Sequence, residues 1–232
     1  MRRRIAVFIG GIVLLCVFTL FSYCVRHKAF QTVDFAFTVK LQEAIDTSPR
    51  LRLSRMVGEV MEGSTFFASP EVSVIAVFTL TIFAFMTLRS IDRSKCGARV
   101  RVLVIPFLFI VLVLAEIYGK TVVHHPAPPF FMIKNPTSIF PKYYINEQFS
   151  YPSGHASRAV FLAFSAFRLL PSAFRFGKKN IPIVCIGIMY ILFVSISRIY
   201  LGHHWLSDII GGILLGIGCA GIALGIYHYK NI

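Results

Sequence analysis

The sequence predicts an all-α membrane protein, a six-transmembrane helix bundle with an active site on its outer face and amphipathic helices at the membrane interface. Three observations carry that expectation. Of the 232 residues 56% are hydrophobic and only 15% charged, and the apolar residues gather into long runs where a water-soluble domain would interleave them with polar ones. Ser, Arg, His and Asp collect in short stretches where apolar runs meet. The basic residues lie in the segments between runs, unequally divided between the two sides.

Six apolar runs are candidate spans: residues 5–23, 72–88, 102–115, 156–170, 181–196 and 209–226. Crossing a bilayer takes ~20 helical residues. The third and fourth runs are short and must extend through residues 116–119 and 153–155 to cross. The first run follows Arg2, Arg3 and Arg4, as a secretory signal would, but no small-x-small cleavage site follows and the run is long for a signal core, so a retained anchor is expected.

The formal charge of +14 follows from topology without a nucleic-acid partner. With both termini cytoplasmic, the inner segments hold thirteen Lys/Arg and one acid, Asp92, while the outer side holds eleven Lys/Arg and nine acids. The five cysteines, Cys16, Cys24, Cys96, Cys185 and Cys219, show no metal-ligand spacing and imply no disulfide.

Between the first two runs, Phe35, Val39, Leu41 and Ile45 recur at a helical period among polar residues, Ser48-Pro49 breaks the pattern, and Leu51, Leu53, Met56, Val57 and Val60 resume it. Two amphipathic helices at the outer interface, or an ordinary ectodomain pair, satisfy this spacing. Residues 89–101 form a short basic loop of topological character. Glu116 closes the third run with Lys120 four residues on, the favourable order for a local ion pair. Residues 126–150 are rich in proline and rings, among them Phe130, Phe131, Phe140, Tyr143 and Tyr144, which suits either a membrane-interface lid or a packed loop.

Two stretches carry the chemistry. Ser197 to Asp208, SRIYLGHHWLSD, lies between the last two runs. His204 is an imidazole able to attack, Asp208 four residues on is placed to orient its ring, and Arg198 is a fixed cation shaped for phosphate oxygens. Tyr151-Pro152-Ser153-Gly154-His155 reads as a turn feeding a helix N-terminus, where backbone N–H groups favour anions. One histidine attacking and another protonating point to phosphoryl transfer.

These stretches resemble two signatures of the type 2 phosphatidic acid phosphatase family, P-S-G-H and S-R-x5-H-x3-D, which vanadium haloperoxidases share. Every specified position matches: Pro152, Ser153, Gly154, His155, then Ser197, Arg198, His204, Asp208. A third signature, K-x6-R-P, is kept in part: Lys120 and Pro128 fit, while Ala127 stands at the arginine position. His124, His125 or Arg158 are candidates to substitute. For the two histidines a plain loop or interfacial place is the simpler reading, and for Arg158 an interfacial anchor.

The resemblance covers the chain most firmly from Gly119 onward. No internal repeat or low-complexity segment divides the chain, so one domain over residues 1–232 is expected, integral to a bacterial inner or plasma membrane. The positive-inside topology puts the active site on the extracytoplasmic side. The resemblance implies a lipid phosphate or diphosphate phosphatase in which His204 forms a phosphohistidine, Asp208 fixes its tautomer and His155 protonates the leaving oxygen. Lys120, Arg198 and the Ser153 and Gly154 amides would hold the phosphate, so no metal or other cofactor and no obligate protein partner is expected. Undecaprenyl diphosphate or a phosphatidate-like lipid is the expected substrate. The rival expectations are a lipid-phosphate binding or transport protein with weakened catalysis, and a vanadate-dependent haloperoxidase.

Overall fold

A computed structural model describes residues 2–46, 51–91, 101–134, 148–170, 173–176 and 179–227. The basic residues of 92–100 and the rings Phe140, Tyr143 and Tyr144 singled out above lie outside them. Helices dominate: α1 (Arg2–Arg26), α2 (Gln31–Asp46), α3 (Leu51–Phe66), α4 (Pro70–Ile91), α5 (Val104–Val123), α6 (Gly154–Leu169), α7 (Ile183–Tyr200) and α8 (Leu206–Tyr227). Among the described residues five helices are long and apolar enough to cross a membrane, namely Arg4–Arg26, Pro70–Thr87, Arg101–Val123, Ile183–Tyr200 and Leu206–Tyr227.

The fourth predicted run forms α6, which at 16 residues is the short one. A helix of that length rises about 24 Å at 1.5 Å per residue, less than a ~30 Å hydrocarbon layer. Its composition explains its place. Ser157, Arg158 and Ser165 cannot face lipid at tolerable cost, and all three are buried, along with most of the helix, between α4, α5, α7 and α8. Conversely, Phe107, Ile110, Leu114 and Ile117 of α5 and Ile75, Phe78 and Ile82 of α4 point outward, as a lipid-facing surface requires. The main core joins Ile105, Phe109 and Leu112 of α5, Phe161 of α6 and Leu215 and Cys219 of α8.

Packing between α1 and α8 is backbone against backbone. A Cβ on Gly11 would lie 2.8 Å from both Gly218 O and Ile222 N, so small residues set that approach. Arg4 Nε donates to Gly225 O at 3.3 Å, which places the start of α1 beside the end of α8. The two helices are therefore antiparallel. At the opposite end, Ser22 near the close of α1 shares a 2.8 Å hydrogen bond with the Tyr151 hydroxyl just before α6. The end of α5, the start of α6, the end of α7 and the start of α8 all meet there.

One expectation on boundaries changes. Residues 181 and 182 do not begin α7 but end a strand: β1 (Ala173–Phe176) pairs antiparallel with β2 (Lys179–Pro182), Ala173 opposite Pro182. The two helices expected between the first two spans are present as α2 and α3.

Candidate functional site

The turn between α7 and α8 sets the site. Leu201 N–H donates to Ser197 O, and the His203 and His204 amides both donate to Arg198 O, at 3.1 and 3.3 Å, so the chain folds back over the last turn of α7. Gly202 makes this possible, with φ +70° and the Met132 backbone lying where a Cβ would project. From α2, Gln42 Nε2 donates to Met132 O at 2.8 Å and to Tyr200 O at 2.9 Å, tying the turn to the stretch after α5.

His204 precedes α8 and Asp208 lies in its first turn. The Asp208 carboxylate, on the third helical residue, reaches back to accept the Trp205 amide at 2.8 Å on Oδ2, as in a capping box, and the same oxygen faces His204 Nδ1 at 3.5 Å. Both side chains are buried, Asp208 completely. Across from His204 stands His155, one residue into α6, with ring centroids 6.5 Å apart. One phosphoryl group bound between the rings would touch both. Arg198 is buried in the last turn of α7.

The Ser153 position differs from expectation. Its amide donates to Asp208 O at 3.0 Å and so is not presented to a ligand. The reason is the crossing of α6 and α8, which brings the two backbones together at the start of both helices. What Ser153 offers is its hydroxyl, fully buried and with no hydrogen-bond partner among the described residues.

Gly154 has a neighbour the sequence did not announce. The Glu116 carboxylate lies where a Gly154 Cβ would project, so only glycine fits. Glu116 Oε2 pairs with Arg158 Nη1 at 2.7 Å, and Oε1 lies 3.8 Å from Lys120 Nζ. Arg158 Nε donates to Ala68 O at 3.2 Å. The local Glu116–Lys120 pair exists, but Arg158 is the closer partner. Arg158 is 4% exposed, with its Nε and Nη1 bound to the α3–α4 connection and to Glu116.

His125 holds a contact that its place near the missing arginine did not suggest. It is buried, and its Nδ1 lies 2.8 Å from Asp208 Oδ1. His125 was noted for its place near the missing arginine, but a contact spanning 83 residues leaves no local mark. His124, by contrast, is exposed and packs its ring edge-on against Phe149. Ala127 lines a cavity of about 580 Å³ together with Lys28, Asp34, Phe35, His125 and Trp205. His203 sits beside the pair with both ring nitrogens buried and unpartnered among the described residues, and burial with the nearby Arg198 pushes its pKa down to about 2.

Comparison with known proteins shows the family. A family model described as PAP2 superfamily matches residues 103–232, which include all of the residues above from Glu116 onward. The chain is similar to a phosphatidylglycerophosphatase B of Bacillus subtilis (strain 168), 37% identical over 71 residues, 30% of this chain and 34% of that protein. It is also similar to an undecaprenyl-diphosphatase of Sulfolobus acidocaldarius, 37% identical over 115 residues, 49% of this chain and 48% of that protein. The matched segments thus span about a third and about a half of those two curated relatives. Among solved structures the fold is similar to that of the transmembrane PAP2-type phosphatidylglycerolphosphate phosphatase from Bacillus subtilis. The TM-score is 0.63 at 21% identity, covering 93% of this chain and 94% of that one. Aquifex aeolicus LpxE gives a TM-score of 0.50 at 22% identity, covering 82% and 96%.

Proposed function

The chain belongs to the PAP2 superfamily, and on that premise we propose that it is an integral membrane lipid phosphatase working through a phosphohistidine on His204. One observation carries the reading: two imidazoles, His204 and His155, face each other 6.5 Å between centroids, and only His204 has the Asp208 carboxylate behind it. An asymmetric pair of this kind gives one ring the nucleophile's part and the other the acid's.

In the first step His204 Nε2 attacks phosphorus, a P–N bond forms as the bond to the leaving oxygen breaks, and His155 gives that oxygen a proton. Asp208 holds the Nδ1 proton of His204 and stabilises the positive charge the ring acquires. In the second step His155 takes a proton from water, whose oxygen attacks phosphorus and returns His204 to its starting form. Lys120 and Arg198 supply the fixed positive charge around the transferring group, with the Ser153 hydroxyl and the Gly154 amide as donors. Because these cations carry the charge, the reaction is expected to need no metal.

The chain is read as one domain of six spans, with α6 the sixth, short because it is sheathed by the other helices. Both termini are assigned to the cytoplasm, α2 and α3 to the outer interface, and the site to the extracytoplasmic side of a bacterial membrane. The basic balance of the inner segments supports that orientation.

For substrate, the two curated relatives act by name on phosphatidylglycerophosphate and on undecaprenyl diphosphate. We place this chain's substrate among membrane lipids ending in a phosphate or diphosphate, with undecaprenyl diphosphate first. The test is phosphate release in detergent from a panel of such lipids, with and without excess EDTA and with vanadate. Release that survives EDTA and is lost to vanadate, a pentacoordinate phosphate mimic, supports the reading. Binding of the lipids without release, or a strict Mg²⁺ requirement, contradicts it.

A further inference from the structure

We propose that His125 is a positioning residue for this site, holding the Asp208 carboxylate in place for His204, with Asp34 anchoring the arrangement from α2. The inference rests on the phosphatase reading for its kinetic test but on geometry for its substance.

The backbone presents His125 deliberately. Helix α5 closes at His124, whose left-handed conformation (φ 53°) turns the chain so that His124 faces out and His125 faces in. The next residues are held from two sides. His125 O accepts the Ser150 amide at 3.0 Å and the Ala127 amide donates to Gln148 O, which joins the loop to the segment leading into α6. Pro126 O accepts Trp205 Nε1–H at 2.8 Å, which joins it to the residue after His204. A side chain so fixed on both flanks brings its ring to Asp208 from the side opposite His204.

The division of the carboxylate follows. Oδ2 takes the Trp205 amide and faces His204, and Oδ1 takes His125 Nδ1 at 2.8 Å. An ionised carboxylate only accepts, so His125 carries a proton on Nδ1. Behind the ring, Nε2 lies 3.8 Å from Asp34 Oδ2. Asp34 is itself buried and accepts the Ser207 amide at 2.8 Å and the Ser207 hydroxyl at 2.7 Å, gripping the residue next to Asp208. His125, from the loop after α5, therefore meets the carboxylate directly, while Asp34, from α2, grips the neighbouring Ser207 and faces the far side of the His125 ring. Without His125, Oδ1 is a buried charged oxygen missing the donor described for it, and the Trp205 amide on Oδ2 is left to hold the carboxylate from one side.

Side-chain shape separates this role from mere filling of space. Asparagine places an N–H close to the position of Nδ1, whereas glutamine reaches the position of Nε2. Measured on the lipid phosphate that the wild-type protein hydrolyses, His125→Ala and His125→Gln are expected to lower kcat roughly 10- to 100-fold, the span of losing one hydrogen bond to a charged group. KM should move much less. His125→Asn should stay within a few-fold of wild type. Equal loss in all three variants, or no loss in His125→Ala, overturns the proposal. His204→Ala run alongside tells the two readings apart, since full activity in that variant, or none in the wild type, is a failure of the phosphatase reading alone. In that case ¹⁵N spectra of histidine-labelled protein in detergent decide, with the His125 signal identified by its absence in His125→Asn. A proton on Nδ1 upholds the positioning role, and a bare Nδ1 overturns it.

Discussion

His204 and Asp208 are separated by four residues yet meet across the boundary of α8, with His204 Nδ1 3.5 Å from Asp208 Oδ2 and only the aspartate inside the helix. The carboxylate thus does two things at once. It closes the helix start by accepting the Trp205 amide, and it faces the imidazole proposed to attack.

That double use predicts an unequal response to substitution. Asp208→Asn keeps an acceptor for the Trp205 amide and is expected to fold, while the charge that stabilises the His204 imidazolium is gone. Turnover should fall about 10³- to 10⁴-fold, the scale seen when the acid of a comparable histidine pair is neutralised. Initial rates on detergent-purified protein check this, and a loss under about tenfold would sink the orienting role.

The buried Glu116–Arg158 pair makes a prediction about stability. Both side chains are under a tenth exposed, so removing Glu116 leaves Arg158 buried without its carboxylate. Glu116→Ala is expected to destabilise the protein by about 3–5 kcal/mol. The double variant Glu116→Ala, Arg158→Met should recover more than half of that, because it removes the stranded cation too. Unfolding in detergent followed by circular dichroism measures both, and a single variant as stable as wild type contradicts the account.

His203 supplies a pH dependence. Burial, Arg198 and His204 lower its pKa from 6.5 to about 2 in the folded protein. Between those values the unfolded chain binds a proton that the folded one does not, so this group makes stability rise with pH through the window and fall on acidification below about 6.5. The apparent Tm in detergent should drop less between about pH 7 and pH 5 for His203→Gln than for wild type. Identical drops would show that His203 does not contribute.

How much of this was legible in the sequence depends on how far apart the partners lie. Arg198, His204 and Asp208 sit within eleven residues, so their spacing alone brought them to one turn, and Gly154 and His155 were readable as a helix start. Glu116 and Arg158 are 42 residues apart, His125 and Asp208 83, and Asp34 and Ser207 173. No local pattern encodes such contacts, which is why Arg158 read as an interfacial anchor and His125 as a loop residue. The Ser153 amide was misassigned for the same reason, since only the crossing of α6 and α8 shows that Asp208 O takes it. The five long apolar helices were legible because apolar runs are long-wavelength signals. The fourth run was less clear, because the α6 it forms is 16 residues long and carries buried Ser157, Arg158 and Ser165 among its apolar residues.

The central claim is that the phosphoryl group passes to His204. Rapid quenching of wild-type protein with a ³²P-labelled lipid phosphate, followed by peptide mapping, tests it most directly. Acid-labile label is expected on the peptide containing His204, with no label in His204→Ala and a rate in that folded variant lower by several orders of magnitude. Label on another residue, or His204→Ala retaining more than about a tenth of the wild-type rate, would contradict it.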